Sequence, residues 1–137
     1  MKQTPREPRA TRPAHDPRLL SVTLAAGDDG CVLATVVGEL DAATAPALDA
    51  EIRALPAGET TALVLDLTRV GFCAAAGIST LLDLLEHTNS MGASLALVAD
   101  STPVIRPLEL LGLADRFTMF PSRSAALASL GTAPAGS

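Results

Sequence analysis

The 137 residues contain two histidines, His15 and His87, which leaves little scope for a nucleophile activated by an adjacent base. His15 lies among prolines near the start. His87 falls late on the polar side of a helical pattern, where solvation or an interaction with the C-terminal end of the helix dipole is its expected role. Glu39 and Asp41 are a carboxylate pair in a short loop after a strand, but acid–base work needs more convergent groups than the flanking residues supply. Loop hydrogen bonding or contact with a partner is their expected use. Cys31 and Cys73 have no metal-ligand spacing and are too few for a disulfide framework, so both are expected as buried thiols. Gly27 and Gly30 flank Asp28 and Asp29, which repel phosphate, and no Lys-Ser/Thr follows them. No catalytic centre, metal or cofactor is expected.

The segment Phe72-Cys73-Ala74-Ala75-Ala76-Gly77-Ile78-Ser79 carries more information, because it takes the chain from a loop directly into a helix. A helix start offers unpaired N–H groups and a partial positive charge. Small side chains and Gly77 allow close approach of the backbone, either by a partner or by the sheet beneath.

Positioning that segment requires alternating strands and helices. Leu19–Ala25 and Cys31–Val37 read as a hairpin around Gly27-Asp28-Asp29-Gly30. Gly38-Glu39-Leu40-Asp41 reads as a loop. Thr44 is a candidate cap for a helix with Pro46 in its first turn and Leu48, Ile52 and Leu55 on one face, ended by Pro56-Ala57-Gly58. Leu63–Leu67 is an apolar run broken only by Asp66, the pattern of a central strand covered on both faces. After Arg69-Val70-Gly71-Phe72, a second helix places Ile78, Leu81, Leu82 and Leu85 inward, with Ser79, Thr80, Asp83, Glu86 and His87 outward, and Gly92 closes it. Ser94–Ala99 is another strand. Thr102-Pro103 opens a helix with Val104, Leu108 and Leu111 inward and Pro107 as a kink; Arg116–Met119 is a last strand; Ser122 caps a terminal helix with Ala125, Ala126 and Leu130 inward. The order β-β-α-β-α-β-α-β-α is an α/β fold with a mixed sheet of four to five strands and about four helices. The loops after Val37, Leu67 and Ala99 should share the rim at the strands' carboxyl ends.

Chain length fits one domain, here residues 18–130, and about two thirds of the unfolded surface of a chain this size can be buried in one core. Residues 1–17 carry four Lys/Arg against Glu7 and Asp16, with Pro5, Pro8, Pro13 and Pro17, and read as a disordered basic arm. Residues 131–137 read as a flexible tail. From residue 18 onward six Arg face thirteen Asp/Glu, and the chain has no Trp or Tyr. An acidic surface without aromatic platforms disfavours nucleic acid as a partner. No apolar stretch approaches the roughly 20 residues of a membrane span, and no apolar core follows the basic start, so a cytoplasmic protein without membrane insertion is expected.

Three blocks resemble the STAS family, in particular its anti-sigma factor antagonists: Gly38-Glu39-Leu40-Asp41 with Thr44-Ala45; Leu63–Leu67 leading through Val70 to Phe72; and Gly77-Ile78. A weaker fourth is Pro103-Val104 through Leu110-Leu111-Gly112-Leu113. The resemblance covers about residues 19–130 and implies a non-enzymatic bacterial regulator. Such an antagonist binds an anti-sigma factor, often a serine kinase of the GHKL ATPase type, and so frees a sigma factor for transcription. In the family the kinase phosphorylates a Ser that directly follows an Asp at the start of the second helix. Here that Asp corresponds to Ala74 and the Ser to Ala75, with Ala76 before Gly77, so both acid and acceptor are missing. The expectation is docking without a phosphorylation switch, through Glu39, Asp41, Thr44, Ala74, Ala75, Ala76, Gly77, Ser79 and Thr80. Ser79 and Thr80 are acceptors on paper, but one turn inside the helix they present their hydroxyls differently. The resemblance also admits an accessory subunit of a lipid or anion transport system. A nucleotide-binding STAS domain fits less well, because Gly38–Thr44 and Phe72–Thr80 contain no basic residue.

Overall fold

The computed structural model describes residues 19–100 and 102–130; the expected arm (1–17) and tail (131–137) lie outside the described residues. A hairpin of β1 (Leu20–Ala26) and β2 (Cys31–Leu40) leads to α1 (Ala45–Arg53) and then β3 (Ala62–Cys73). There follow α2 (Ala75–Ser90), β4 (Ser94–Val98), α3 (Thr102–Leu110), a single 3-10 turn at Ala114–Arg116, β5 (Thr118–Phe120) and α4 (Arg123–Ser129). The strands lie side by side in chain order, β1 antiparallel to β2 and the rest parallel. This is the mixed α/β sheet expected from the alternating patterns.

Parallel neighbours in sequential order require crossovers of one hand, which put their helices on one face. Leu63, Leu65 and Leu67 of β3 accordingly pack with Leu48 and Ile52 of α1, Ile78, Leu81 and Leu84 of α2, and Val104 and Leu108 of α3. The opposite face has a smaller core in which Ala126 of α4 meets Cys31, Ala62, Val64, Ala96 and Val98. Among the described residues, α4 covers that face, over β3, β4 and β5.

β2 and β3 run further than their sequence patterns indicate. Gly38–Leu40 and Gly71–Cys73, expected as loops, are paired strand up to Leu40 opposite Cys73. Two register shifts between the strands each give β3 an extra residue, and they change its parity so that Val70 and Cys73 still enter the core after Leu67. Strict alternation would have ended at Leu67. Further departures are local. The inner line of α2 is Gly77, Ile78, Leu81, Leu84 and Thr88, with Leu82 and Leu85 packed on its flank rather than at its centre. Leu111 lies beyond α3 and is 57% exposed, not inward. Arg116 belongs to the 3-10 turn, and β5 starts two residues after it. In α4 only Ala126 is fully buried, while Ser122 does cap the helix by accepting from the Ala125 amide.

Asp66, 4% exposed, stands opposite Thr35 on the α4 face. Its Oδ1 accepts from the Thr68 amide (3.0 Å) and hydroxyl (2.7 Å), and its Oδ2 pairs with Arg123 Nε, while Arg123 Nη2 donates to Thr35 Oγ1 (3.0 Å). One acid thereby fastens the start of α4 to the middle of the sheet. Burial pushes this carboxyl up, but the Thr68 bonds and then the Arg123 guanidinium outweigh it and hold the carboxyl below its ordinary range. A carboxylate favoured in the folded state adds stability that is fully present above the unfolded value of about 4 and is lost as pH falls through the lower folded value. Asp66→Asn keeps the shape but turns a donor toward Arg123. With Arg123 half-exposed and able to rehydrate, the variant should lose about 1–3 kcal/mol at pH 7. The difference from the parent chain should shrink below about pH 4, as read by urea unfolding across pH.

Candidate functional site

The carboxyl ends of β2 and β3 meet at one rim. Leu40 O accepts from the Ala74 amide at 2.9 Å, so the β2–α1 loop and the start of α2 are hydrogen-bonded neighbours. The loop after β4 does not join them. β4 ends opposite Asp66, while β3 continues to Cys73, about 20 Å further along the strand. The expected three-loop rim is therefore a two-loop rim, joined by the start of β1, whose neighbour Leu19 accepts from the Glu39 amide at 2.7 Å.

Within the β2–α1 loop Thr44 and Asp41 hold each other. Thr44 Oγ1 donates to Glu39 O (2.7 Å) and accepts from the Asp41 amide (3.0 Å), while Asp41 Oδ1 accepts from the Ala43 (3.0 Å) and Thr44 (3.1 Å) amides. Thr44 precedes α1 but makes no side-chain cap to it. At 2% exposure it shapes the loop from inside and does not face a partner.

Gly77 is buried as well, and its missing side chain serves the fold. A Cβ there would lie 2.9 Å from both Leu40 Cγ and Leu40 O and 3.1 Å from Cys73 Sγ. The close approach that glycine permits is thus between α2 and the ends of β2 and β3. Beneath it the Cys73 thiol is pushed up by burial to about 11, so it is protonated and poorly nucleophilic at neutral pH. Cys31 is buried on the other face.

Ala74 occupies the N-cap of α2 with extended backbone (φ −87°, ψ 174°) and supplies no side-chain acceptor. Ala75 is the first helical residue and exposed; Ala74 and Ala76 are half-buried. Ser79 is exposed and Thr80 half-buried, one turn inside the helix. The structure thus brings the β2–α1 loop with Asp41 beside Ala74, Ala75 and Ala76, with Glu39 at the same end of the sheet and Ser79 and Thr80 along the same helix. An N-cap acceptor bonds an otherwise unpaired amide, and Asp in place of Ala at such positions is worth about 1 kcal/mol. Ala74→Asp should therefore raise stability by about 1 kcal/mol in thermal or urea unfolding, an unusual direction for a change at a surface loop.

Two exposed apolar side chains at this end escaped the sequence reading. Leu19 is 42% and Phe72 52% exposed. Phe72 pairs with Glu39 in register, and Leu19 is bonded to Glu39 from the other side. Their successors Leu20, Leu40 and Cys73 all enter the α1–α3 core, so alternation turns Leu19, Glu39 and Phe72 to the opposite face. Three strands place them in a row at the sheet's upper edge. His87 is remote from this row, in the last turn of α2, with Nδ1 3.4 Å from Arg53 Nη1 of α1 and Nε2 buried. His15 lies outside the described residues. Among the described residues no three His, Cys, Asp or Glu side chains cluster to hold a metal, and no helix is long and apolar enough to cross a membrane.

Comparison with known proteins agrees with this architecture. The STAS domain model matches residues 23–126. The anti-sigma-F factor antagonist RsfB of Mycobacterium tuberculosis is 33% identical over 101 residues, covering 73% of this chain and 82% of that protein. The crystal structure of an anti-sigma factor antagonist from Mycobacterium paratuberculosis superposes with a TM-score of 0.75 at 31% identity, over 85% of this chain and 98% of that one. The anti-sigma factor antagonist SpoIIAA in its unphosphorylated form shares the fold, with a TM-score of 0.67 at 18% identity over 82% of this chain and 99% of that one. The chain belongs to the STAS domain family, in the company of anti-sigma factor antagonists.

Proposed function

We propose that this chain is an anti-sigma factor antagonist, a binding protein and not an enzyme, that docks an anti-sigma factor of the serine-kinase type through the rim at Glu39, Asp41 and Ala74–Ala76. Two similar proteins carry the name of anti-sigma factor antagonist at more than 30% identity over most of their length. The observation that carries the reading is the position of Ala74 and Ala75. They are the N-cap and first residue of α2, at the surface, and the Ala74 amide is hydrogen-bonded to Leu40 O at the end of β2. A phosphate at that point would add about −1.5 to −2 charge directly on the docking face. Alanine cannot receive it, so the rim stays in its unmodified form. Ser79 and Thr80 lie along the same helix and extend the contact surface, while Thr44 and Gly77 hold the two loops in place from beneath.

Mixed with purified anti-sigma kinases of the GHKL type and ATP, the chain is expected to bind at least one of them in calorimetry and to take up no phosphate. The double variant Ala74→Asp, Ala75→Ser is expected to bind the same kinase and become phosphorylated. An unaltered chain that binds none of these kinases, together with a double variant that is never phosphorylated, would discard the reading.

A further inference from the structure

The sheet ends in two unlike edges. β5 is a strand of 3 residues closed by Pro121, which has no N–H to offer, with Arg116 and Arg123 on either side. Short length, proline and nearby charge keep an edge from pairing with another chain. β1, the other edge, has 7 residues, Leu20–Ala26, and among them neither proline nor charge. Among the described residues it pairs with β2 alone.

The hairpin fixes which backbone groups this leaves over. The Glu39 amide donates to Leu19 O (2.7 Å) and the Gly27 amide to Cys31 O (2.9 Å). Between these bonds the register runs unbroken, from Leu20 opposite Gly38 to Ala26 opposite Val32. Hydrogen-bonded and unbonded pairs alternate along an antiparallel ladder, so the odd-numbered residues of β1 turn their N–H and C=O to β2. Leu20, Val22, Leu24 and Ala26 turn theirs outward. That set is self-complementary. A second copy laid antiparallel, with Thr23 on the two-fold axis, puts Leu20 opposite its Ala26 and Val22 opposite its Leu24, and each such pair exchanges two hydrogen bonds. Every outward N–H and C=O of the strand is then used. The side chains suit the same register. On the core face the half-buried Leu24 and the exposed Ala26 gain Val22 and Leu20 of the second copy as neighbours, and on the other face the exposed Thr23 meets its own symmetry mate, a favourable cross-strand pair.

We propose that β1 is a self-association edge, at which two copies join their five-stranded sheets into one continuous sheet. The contact is smaller than the roughly 20–30 residues a side of a stable interface, so association is reversible and depends on concentration. The two-fold axis points the two rims at Ala74–Ala76 to opposite ends of the joined sheet. On the reading of the rim as a docking face, on which this consequence alone rests, one dimer holds two partners.

The test uses the full chain and no partner, so its failure leaves the docking reading standing. Sedimentation equilibrium from about 10 μM to about 1 mM is expected to show monomer and dimer in exchange. Thr23→Lys sets two cations across the axis, with Cβ atoms about 4.5–5.5 Å apart. It should weaken dimerisation at least tenfold and leave the urea midpoint of the dilute chain unchanged, because Thr23 is exposed. Register is read by cross-linking. Under a mild oxidant Thr23→Cys is expected to form a disulfide dimer, whereas Ala25→Cys, offset from its symmetry mate by about 13 Å, should form at least tenfold less. Cys31 and Cys73 are buried and add no background. Hydrogen exchange at the Val22 and Leu24 amides should slow as concentration rises. A chain that stays monomeric at the highest concentration overturns the proposal, as does a dimer that Thr23→Lys leaves intact or equal cross-linking at the two positions. So do Val22 and Leu24 amides protected alike at every concentration, which would mean that the edge is covered within one chain.

Discussion

Gly38→Ala is expected to destabilise the domain by about 3–5 kcal/mol, combining backbone strain with steric overlap. Gly38 has a φ of +128°, where L side chains are rarely found, and a Cβ at that position would fall 2.1 Å from Leu19 O and 2.8 Å from Leu19 C. Backbone atoms cannot give way as a side-chain tip can, because Leu19 O also accepts the Glu39 amide. The strain therefore passes into the β1–β2 pairing, where Leu20 stands opposite Gly38. For a domain whose total stability is on the order of 5–15 kcal/mol, such a loss is a large fraction. Urea unfolding should show a much lower midpoint with an unchanged slope. A variant within about 1 kcal/mol of the parent would mean that the hairpin relaxes around the new methyl group.

Ala75→Arg should weaken binding to an anti-sigma partner by about 100-fold, on the order of 3 kcal/mol. Ala75 is exposed as the first residue of α2, between the β2–α1 loop and the open helix start. A long cation there blocks close approach of a partner to the helix backbone. It opposes the partial positive charge of the helix end by only about 0.3–1 kcal/mol, so folding should be little affected. Comparison with Glu59→Arg separates position from charge, because Glu59 lies at the opposite end of the sheet. That variant should bind like the parent chain. If Ala75→Arg binds as well as the parent while Glu59→Arg does not, the docking face has been placed at the wrong end of the molecule.

The sequence patterns disclosed the strands and helices that rest on local periodicity. The apolar run Leu63–Leu67, the helical spacing from Ile78 to Leu81, the proline near the start of α1 and the Ser122 cap all appear in the structure where their patterns put them. The ends of β2 and β3 were not legible, because two bulges interrupt the alternation after Leu67 and a strict period of two assigns the wrong faces beyond it. Thr44 carried the composition of a cap, yet its hydroxyl turns back to Glu39 O and Asp41 N, a choice made by the loop's fold rather than by residue type. Asp66 was visible as the one acid in an apolar strand. Its partner Arg123 lies fifty-seven residues away and could not be assigned from the pattern.

For the candidate site the division is sharper. Sequence by itself determined which chemistry is missing at the start of α2, since the absence of an acid and a hydroxyl at Ala74 and Ala75 is a matter of composition at two positions. It also determined the opposite charges of the first eighteen residues and the rest of the chain. Only the tertiary structure decided that Leu19, Glu39 and Phe72 form one exposed row. The reason is physical: side-chain type and spacing act along the chain, whereas strand register and the shifts within it bring together residues twenty to fifty positions apart and decide which face each one turns to the surface.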